Sequence, residues 1–129
     1  MDYIRVDFDV VLAIHDEQLA EHGGAEGIRD TGLLESALAR PQNLLAYGSP
    51  DFSDLAAAYA SGIARNHPFI DGNKRTAWVV AETFVELNGF EIAADDVSAY
   101  AVMLALAEGR TDETAFAAWM RPQLKPHKS

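Results

Sequence analysis

The 129 residues and 14.0 kDa of the chain suit a single domain spanning 1–129, and surface scaling places about two-thirds of its area out of water on folding, enough for a core. With 49% apolar residues, no Cys and no apolar run near membrane-helix length, it is excluded from the disordered, disulfide-scaffold, zinc-knuckle and membrane-spanning classes. A net charge of −10 gives no electrostatic footprint for phosphate backbones, so direct nucleic-acid binding is not expected.

The chain opens on Met1-Asp2-Tyr3-Ile4-Arg5, without the basic-then-apolar layout of a signal peptide, and a cytoplasmic location is the simplest expectation. Asp7 caps a first helix to about His22, with Phe8, Val11, Leu12, His15 and Leu19 on one face. Here His15 reads as a satisfied core or groove residue and His22 as a helix end. Gly23-Gly24 stops the helix. Asp30 or Thr31 caps a second one, carrying Leu33, Leu34, Ala37 and Leu38 and ending near Arg40-Pro41. Arg29-Asp30 reads as a local ion pair with cap, and Pro41 to Pro50 as an irregular loop with room for one turn at Asn43 to Tyr47. A third helix opens at Asp51 or Ser53 and closes before His67-Pro68; Asn73 caps the fourth, which stops at Asn88-Gly89. Phe90-Glu91-Ile92 is a short extended connector. Asp95 or Asp96 caps a fifth helix to Gly109, Thr111 or Asp112 a sixth to Arg121-Pro122, and 123–129, with His127, reads as a frayed tail. About six helices and no sheet make the class all-α, a compact bundle.

The positive charge is concentrated at one place. From Ser61 to Val80, Arg65, Lys74 and Arg75 face only Asp71, a local balance of +2 against −12 for the rest of the chain. That pattern points to a small anion held at one spot. In this stretch His67-Pro68-Phe69-Ile70-Asp71-Gly72 connects two apolar helices, the second beginning at Asn73. The first N–H groups of a helix lack internal partners and lie at the positive end of its dipole. Gly72 just before them lets an anion approach, and Lys74 and Arg75 add charge, so the segment is an anion cradle, with phosphate the commonest guest of such a site. A His such as His67 can act as a neutral base near pH 7 toward an attacking hydroxyl. Asp71 offers one hard oxygen, enough for Mg²⁺ shared with phosphate. Phe69 is an apolar pin for the loop, and Arg65 either assists the anion site or faces solvent. Singly these residues would be a helix end, a turn, a cap and a solvated surface; together they form a kit for phosphoryl or nucleotidyl transfer.

His67-Pro68-Phe69-Ile70-Asp71-Gly72-Asn73-Lys74-Arg75 resembles the signature of the Fic/Doc family, His-x-Phe-x-Asp/Glu-Gly/Ala-Asn-x-Arg. The stretch from Gly27 to Leu38 (Gly-Ile-Arg-Asp-Thr-Gly-Leu-Leu-Glu-Ser-Ala-Leu) resembles the death-on-curing (Doc) branch, the toxins of Phd–Doc toxin–antitoxin modules. The resemblance implies a Fic fold, with His67 as general base, Asp71 binding Mg²⁺, and Gly72, Asn73, Lys74 and Arg75 holding and neutralising the phosphates of ATP. It also implies that the loop from Arg40 to Asp51 is a flap that docks the target. AMP-transferring relatives have Gly at the place of Lys74 and a second Arg at the place of Trp78. Lys74 therefore implies a reversed ATP and transfer of the γ-phosphate to a Ser/Thr hydroxyl, with translation elongation factor Tu the expected target and translational arrest the result. Trp78, on an apolar face, reads as core packing. AMP transfer by the same site is the alternative, followed by a silent binding module; a metal phosphohydrolase would need more His and Asp ligands. Thr31 to Glu35 fits the first part of the family's inhibitory motif, but Ser36 breaks it, so inhibition is expected in trans from a Phd-like antitoxin whose tail folds as a helix into a groove.

Overall fold

The computed structural model describes residues 2–127. Its helices are α1 Phe8–His22, α2 Thr31–Tyr47, α3 Phe52–Asn66, α4 Asn73–Leu87, α5 Asp96–Ala107 and α6 Glu113–Met120, giving an all-α architecture with one small sheet. Acidic residues cap five of the six. Asp7, Asp30, Asp51, Asp95 and Asp112 each accept a backbone N–H from the first turn of α1, α2, α3, α5 and α6 in that order. Each bond satisfies one of the donors that a helix start leaves free. No helix among the described residues is long and apolar enough to cross a membrane.

The centre of the bundle is α3, whose small residues Ala56, Ala57, Ala60 and Ala64 are fully buried and which packs against α2, α4, α5 and α6. Its approach to α2 is close. A Cβ added at Gly62 would lie 2.9 Å from the Cβ of Ala37 and 3.1 Å from the Ala37 carbonyl oxygen. Tyr59, Phe84, Phe116 and Met120 fill the space between α3, α4 and α6.

Two expectations are corrected here. The second helix does not end at Arg40-Pro41 but continues through a buried Pro41 to Tyr47. Pro41 withdraws the N–H that would have bound the carbonyl of Ala37, a loss of roughly 3 kcal/mol in an isolated helix. That carbonyl is the one facing Gly62, so the break in the ladder coincides with this close helix approach, and Leu44 and Leu45 beyond it pack on the core. Tertiary burial overrides the local stop signal.

The second correction concerns the connector and the tail. Phe90–Ile92 forms β1 and Leu124–Pro126 forms β2, antiparallel, with Glu91 opposite Lys125. The pairing is extended by Ala93 N–H to Gln123 O at 2.7 Å and His127 N–H to Gly89 O at 2.9 Å. Residues 123–127 are therefore pinned rather than frayed, while 128–129 lie outside the described residues.

Candidate active site

The loop between α3 and α4 begins with a strained residue. His67 adopts φ 49°, ψ 55° as the C-cap of α3, the one non-glycine residue with positive φ among those described. A left-handed conformation costs an L-residue roughly 1–2 kcal/mol, and it survives where surrounding structure enforces it. Here the enforcement is visible. Arg29 donates from Nε to the His67 carbonyl at 2.7 Å and from Nη2 to the Asn66 carbonyl at 2.8 Å. Arg29 thus ties the end of α3 and makes no ion pair with Asp30, which caps α2 by itself.

The same α1–α2 segment runs beside the loop like a strand. Arg29 and Asp30 N–H groups donate to Pro68 O, and Ile70 N–H donates to Gly27 O at 3.1 Å. Phe69 is buried as expected and stacks on the ring of His15 at 3.7 Å and 8°. His15 is buried and satisfied, and its partner is the loop itself: Nε2 lies 2.8 Å from the Asp71 carbonyl oxygen, which it meets as donor.

Asn73 is corrected as a cap. Gly72, at φ 78°, is the N-cap of α4, and the helix start has no side-chain cap. The Asn73 side chain turns back instead, accepting from Phe69 N–H at 3.0 Å and donating to Phe69 O at 2.9 Å. What Asn73 can offer a ligand is its backbone N–H, which with those of Lys74 and Arg75 has no helical acceptor. Gly72 suits its left-handed conformation, where a side chain would be strained.

Asp71 is exposed, and its carboxylate accepts Gly72 N–H at 2.9 Å through Oδ1 and Ala25 N–H at 3.2 Å through Oδ2. These bonds fix its direction and leave lone pairs free. No cluster of three metal-ligating side chains exists among the described residues. The donor set therefore fits a hard cation completed by phosphate and water, and does not fit an all-protein metal cage.

These residues border a cleft of about 830 Å³ lined by His67, Ile70, Asp71, Gly72, Asn73, Lys74 and Arg75. Gln18 and His22 of α1, Trp78 and Val79 one turn further along α4, and Asp96, Ala99, Tyr100, Met103 and Leu104 of α5 complete the lining. Every residue predicted for the site is brought together here. Lys74 and Arg75 are exposed and make no ion pair among the described residues, leaving their charge for a ligand. Trp78 is half-buried against Trp119 and is also a wall of the cleft. Sequence reasoning missed Gln18 and the α5 residues, and took His22 for a mere helix end; a polar residue one turn beyond His15 was the available signal for Gln18.

Other expectations fall outside the cleft. Arg65 points to the end of α5, where it donates to Leu106 O at 3.4 Å. Glu35 is exposed on α2 and does not line the cleft. The residues expected to form a flap, 40–51, do not border the cleft either: most are helical, and Arg40, Asn43, Leu44, Tyr47 and 48–50 border a separate cavity of about 430 Å³ against α6.

The model of the Fic/DOC family matches residues 5–85, which hold the loop, its clamp and all of α1 to α3. The chain belongs to the Fic/DOC family. A protein named toxin Doc, from Mycolicibacterium smegmatis (strain ATCC 700084 / mc(2)155), is 51% identical over 76 residues, covering 57% of this chain and 58% of its own. A protein named protein kinase doc, from Escherichia phage P1, is 36% identical over 83 residues, covering 64% and 66%. The chain thus spans about three-fifths to two-thirds of the length of these Fic/DOC relatives.

Proposed function

We propose that this chain is a Doc-like toxin that transfers the γ-phosphate of ATP to a Ser/Thr hydroxyl of a target protein. The observation that carries the reading is His67, held in a strained conformation at the mouth of a cleft whose floor is the uncapped start of α4. The naming of one relative as a toxin and another as a protein kinase supports the same reading.

In this mechanism the free N–H groups of Asn73, Lys74 and Arg75 hold phosphate oxygens, and the Lys74 and Arg75 side chains offset their charge. Lys74 occupies room at the helix start and turns the nucleotide so that the γ-phosphorus faces His67. The His67 ring takes the proton of the target hydroxyl as its oxygen attacks that phosphorus; the bond to the β–γ bridging oxygen breaks and ADP leaves. Asp71 would hold Mg²⁺, which when bound neutralises phosphate charge. Arg29, Asn73 and His15 keep base and cradle in register. Elongation factor Tu is the proposed target, and arrest of translation the proposed outcome. A Phd-like antitoxin is the proposed regulator, its helical tail suited to the apolar face of α5, where Val97 and Tyr100 are 80% and 66% exposed.

The test is incubation with elongation factor Tu and ATP labelled on either the α- or the γ-phosphate. Label on protein from γ-labelled ATP alone, absent with His67→Ala, is the expected result. Incorporation from α-labelled ATP would establish nucleotidyl transfer instead.

A further inference from the structure

Gln18 has no partner. It is 6% exposed, sits mid-way along α1, and makes no hydrogen bond among the described residues. A primary amide carries two N–H donors and a carbonyl acceptor, and here they belong to a side chain whose stem is buried and whose amide atoms keep a little exposure with no protein partner. What remains exposed of Gln18 opens onto the cleft that Lys74 and Arg75 line.

The position of Gln18 narrows what it meets. It lies between His15 and Leu19 on the inner face of α1. A Cβ added at Gly72 would be 3.7 Å from His15 Nε2 and 3.4 Å from Leu19 Cδ2. The flanking residues therefore touch the N-cap of α4, and Gln18 stands beside its first turn. That corner carries free backbone donors and two unpaired cations, so its guest is anionic.

We infer that Gln18 is a phosphate-binding residue, whose amide N–H donates to a phosphate oxygen lying on the first turn of α4 from the α1 side. The inference rests on the nucleotide reading of the cleft and adds a second wall to it. The amide, held by the buried stem and tied to no protein group, is presented to the cleft in advance of the ligand.

Calorimetric titration of ATP and of inorganic tripolyphosphate into the unmodified chain, Gln18→Met and Gln18→Glu tests this, together with thermal unfolding of each. Loss of one hydrogen bond to a charged group predicts about tenfold or greater weakening for both ligands with Gln18→Met. Gln18→Glu, which places a negative charge there, should weaken binding at least as much. Gln18→Met should unfold at the same or a higher temperature, because the amide makes no hydrogen bond within the described residues, an outcome that a structural role would not give. Unchanged binding in both variants overturns the role of Gln18 and leaves the nucleotide reading standing. Weakening for ATP but not for tripolyphosphate overturns the phosphate assignment, and a lowered unfolding temperature in both variants overturns it in favour of a structural role. Failure of the unmodified chain to bind either ligand overturns both inference and reading.

Discussion

The connection from α2 to α3 and the connection from α3 to α4 are both short, yet they are held from different places. Around Asp51 the bonds are largely local: Asp51 accepts Asp54 N–H at 2.9 Å, and Asp54 accepts Asp51 N–H at 3.0 Å. Arg121 adds an exposed pair that holds the Asp51 carboxyl below the usual carboxylate range. Between His67 and Gly72 the bonds come from α1, from the α1–α2 segment and from Asn73. The first arrangement ends one helix and starts another at little strain. The second fixes a residue in a conformation it would not choose and keeps a helix start uncapped. Local capping serves the fold, whereas the remote clamp serves a site.

Breaking the two connections should therefore have unlike consequences. The largest effect is expected at His67. If His67 is the proposed general base, its loss lowers transfer by about 10²–10⁴, and His67→Ala should bring phosphorylation to background. His67→Gly should do the same while its unfolding temperature holds or rises, since Gly accepts the left-handed conformation. A marked fall in unfolding temperature for His67→Gly would show that the residue is structural.

Asn73→Ala leaves the Phe69 N–H and carbonyl unpaired in the interior, a loss of roughly 2–4 kcal/mol, and should also cut transfer because the loop comes loose. Asp51→Ala removes a cap and the exposed pair with Arg121, about 1–2 kcal/mol together, and should leave transfer as it is. Chemical denaturation with a parallel kinase assay reads both. Equal losses of activity from the two variants would erase the distinction drawn between the connections.

A smaller effect is expected away from both. Glu82 on α4 is half-buried and faces the charges of Glu86 and Asp96; burial chiefly, then those neighbours, push its carboxyl from 4.5 up to about 7. Between these values the folded chain retains a proton that the unfolded chain has released, so stability falls as pH rises through the window and levels off above it. Glu82→Gln should be more stable than the unmodified chain at pH 8 by on the order of 1 kcal/mol, allowing for solvent screening, with the gap closing by about pH 4.5. Thermal unfolding across that range checks the direction.

The parts of the molecule that were legible in the sequence are those set by near neighbours. The Asp caps, the apolar stripes and the spacing of the loop motif are local, and they fixed the helices and the order of the site residues. What could not be read depended on distant partners. The half of α2 after Pro41 survives through burial against α3 and the core. The strand at 124–126 exists because 90–92 lies beside it. Asn73 looked like a cap because its side chain has the right chemistry, and only the approach of Phe69 turns it backward. Gln18 and His22 enter the cleft because α1 packs on α4, a pairing that α1's own sequence does not reveal. Likewise the stretch from Gly27 to Asp30, noted for its resemblance, has a physical task as the edge that holds the loop.

In the proposed mechanism the clamp presents the start of α4 and His67 to the terminal phosphate of ATP. A crystal structure of His67→Ala with Mg²⁺ and ATP tests it most directly. The account predicts phosphate oxygens on the N–H groups of Asn73, Lys74 and Arg75, with the γ-phosphorus nearest position 67 and the adenosine leading away from it. An α-phosphate at that place, or a nucleotide bound elsewhere with the α4 N–H groups left free, would contradict it.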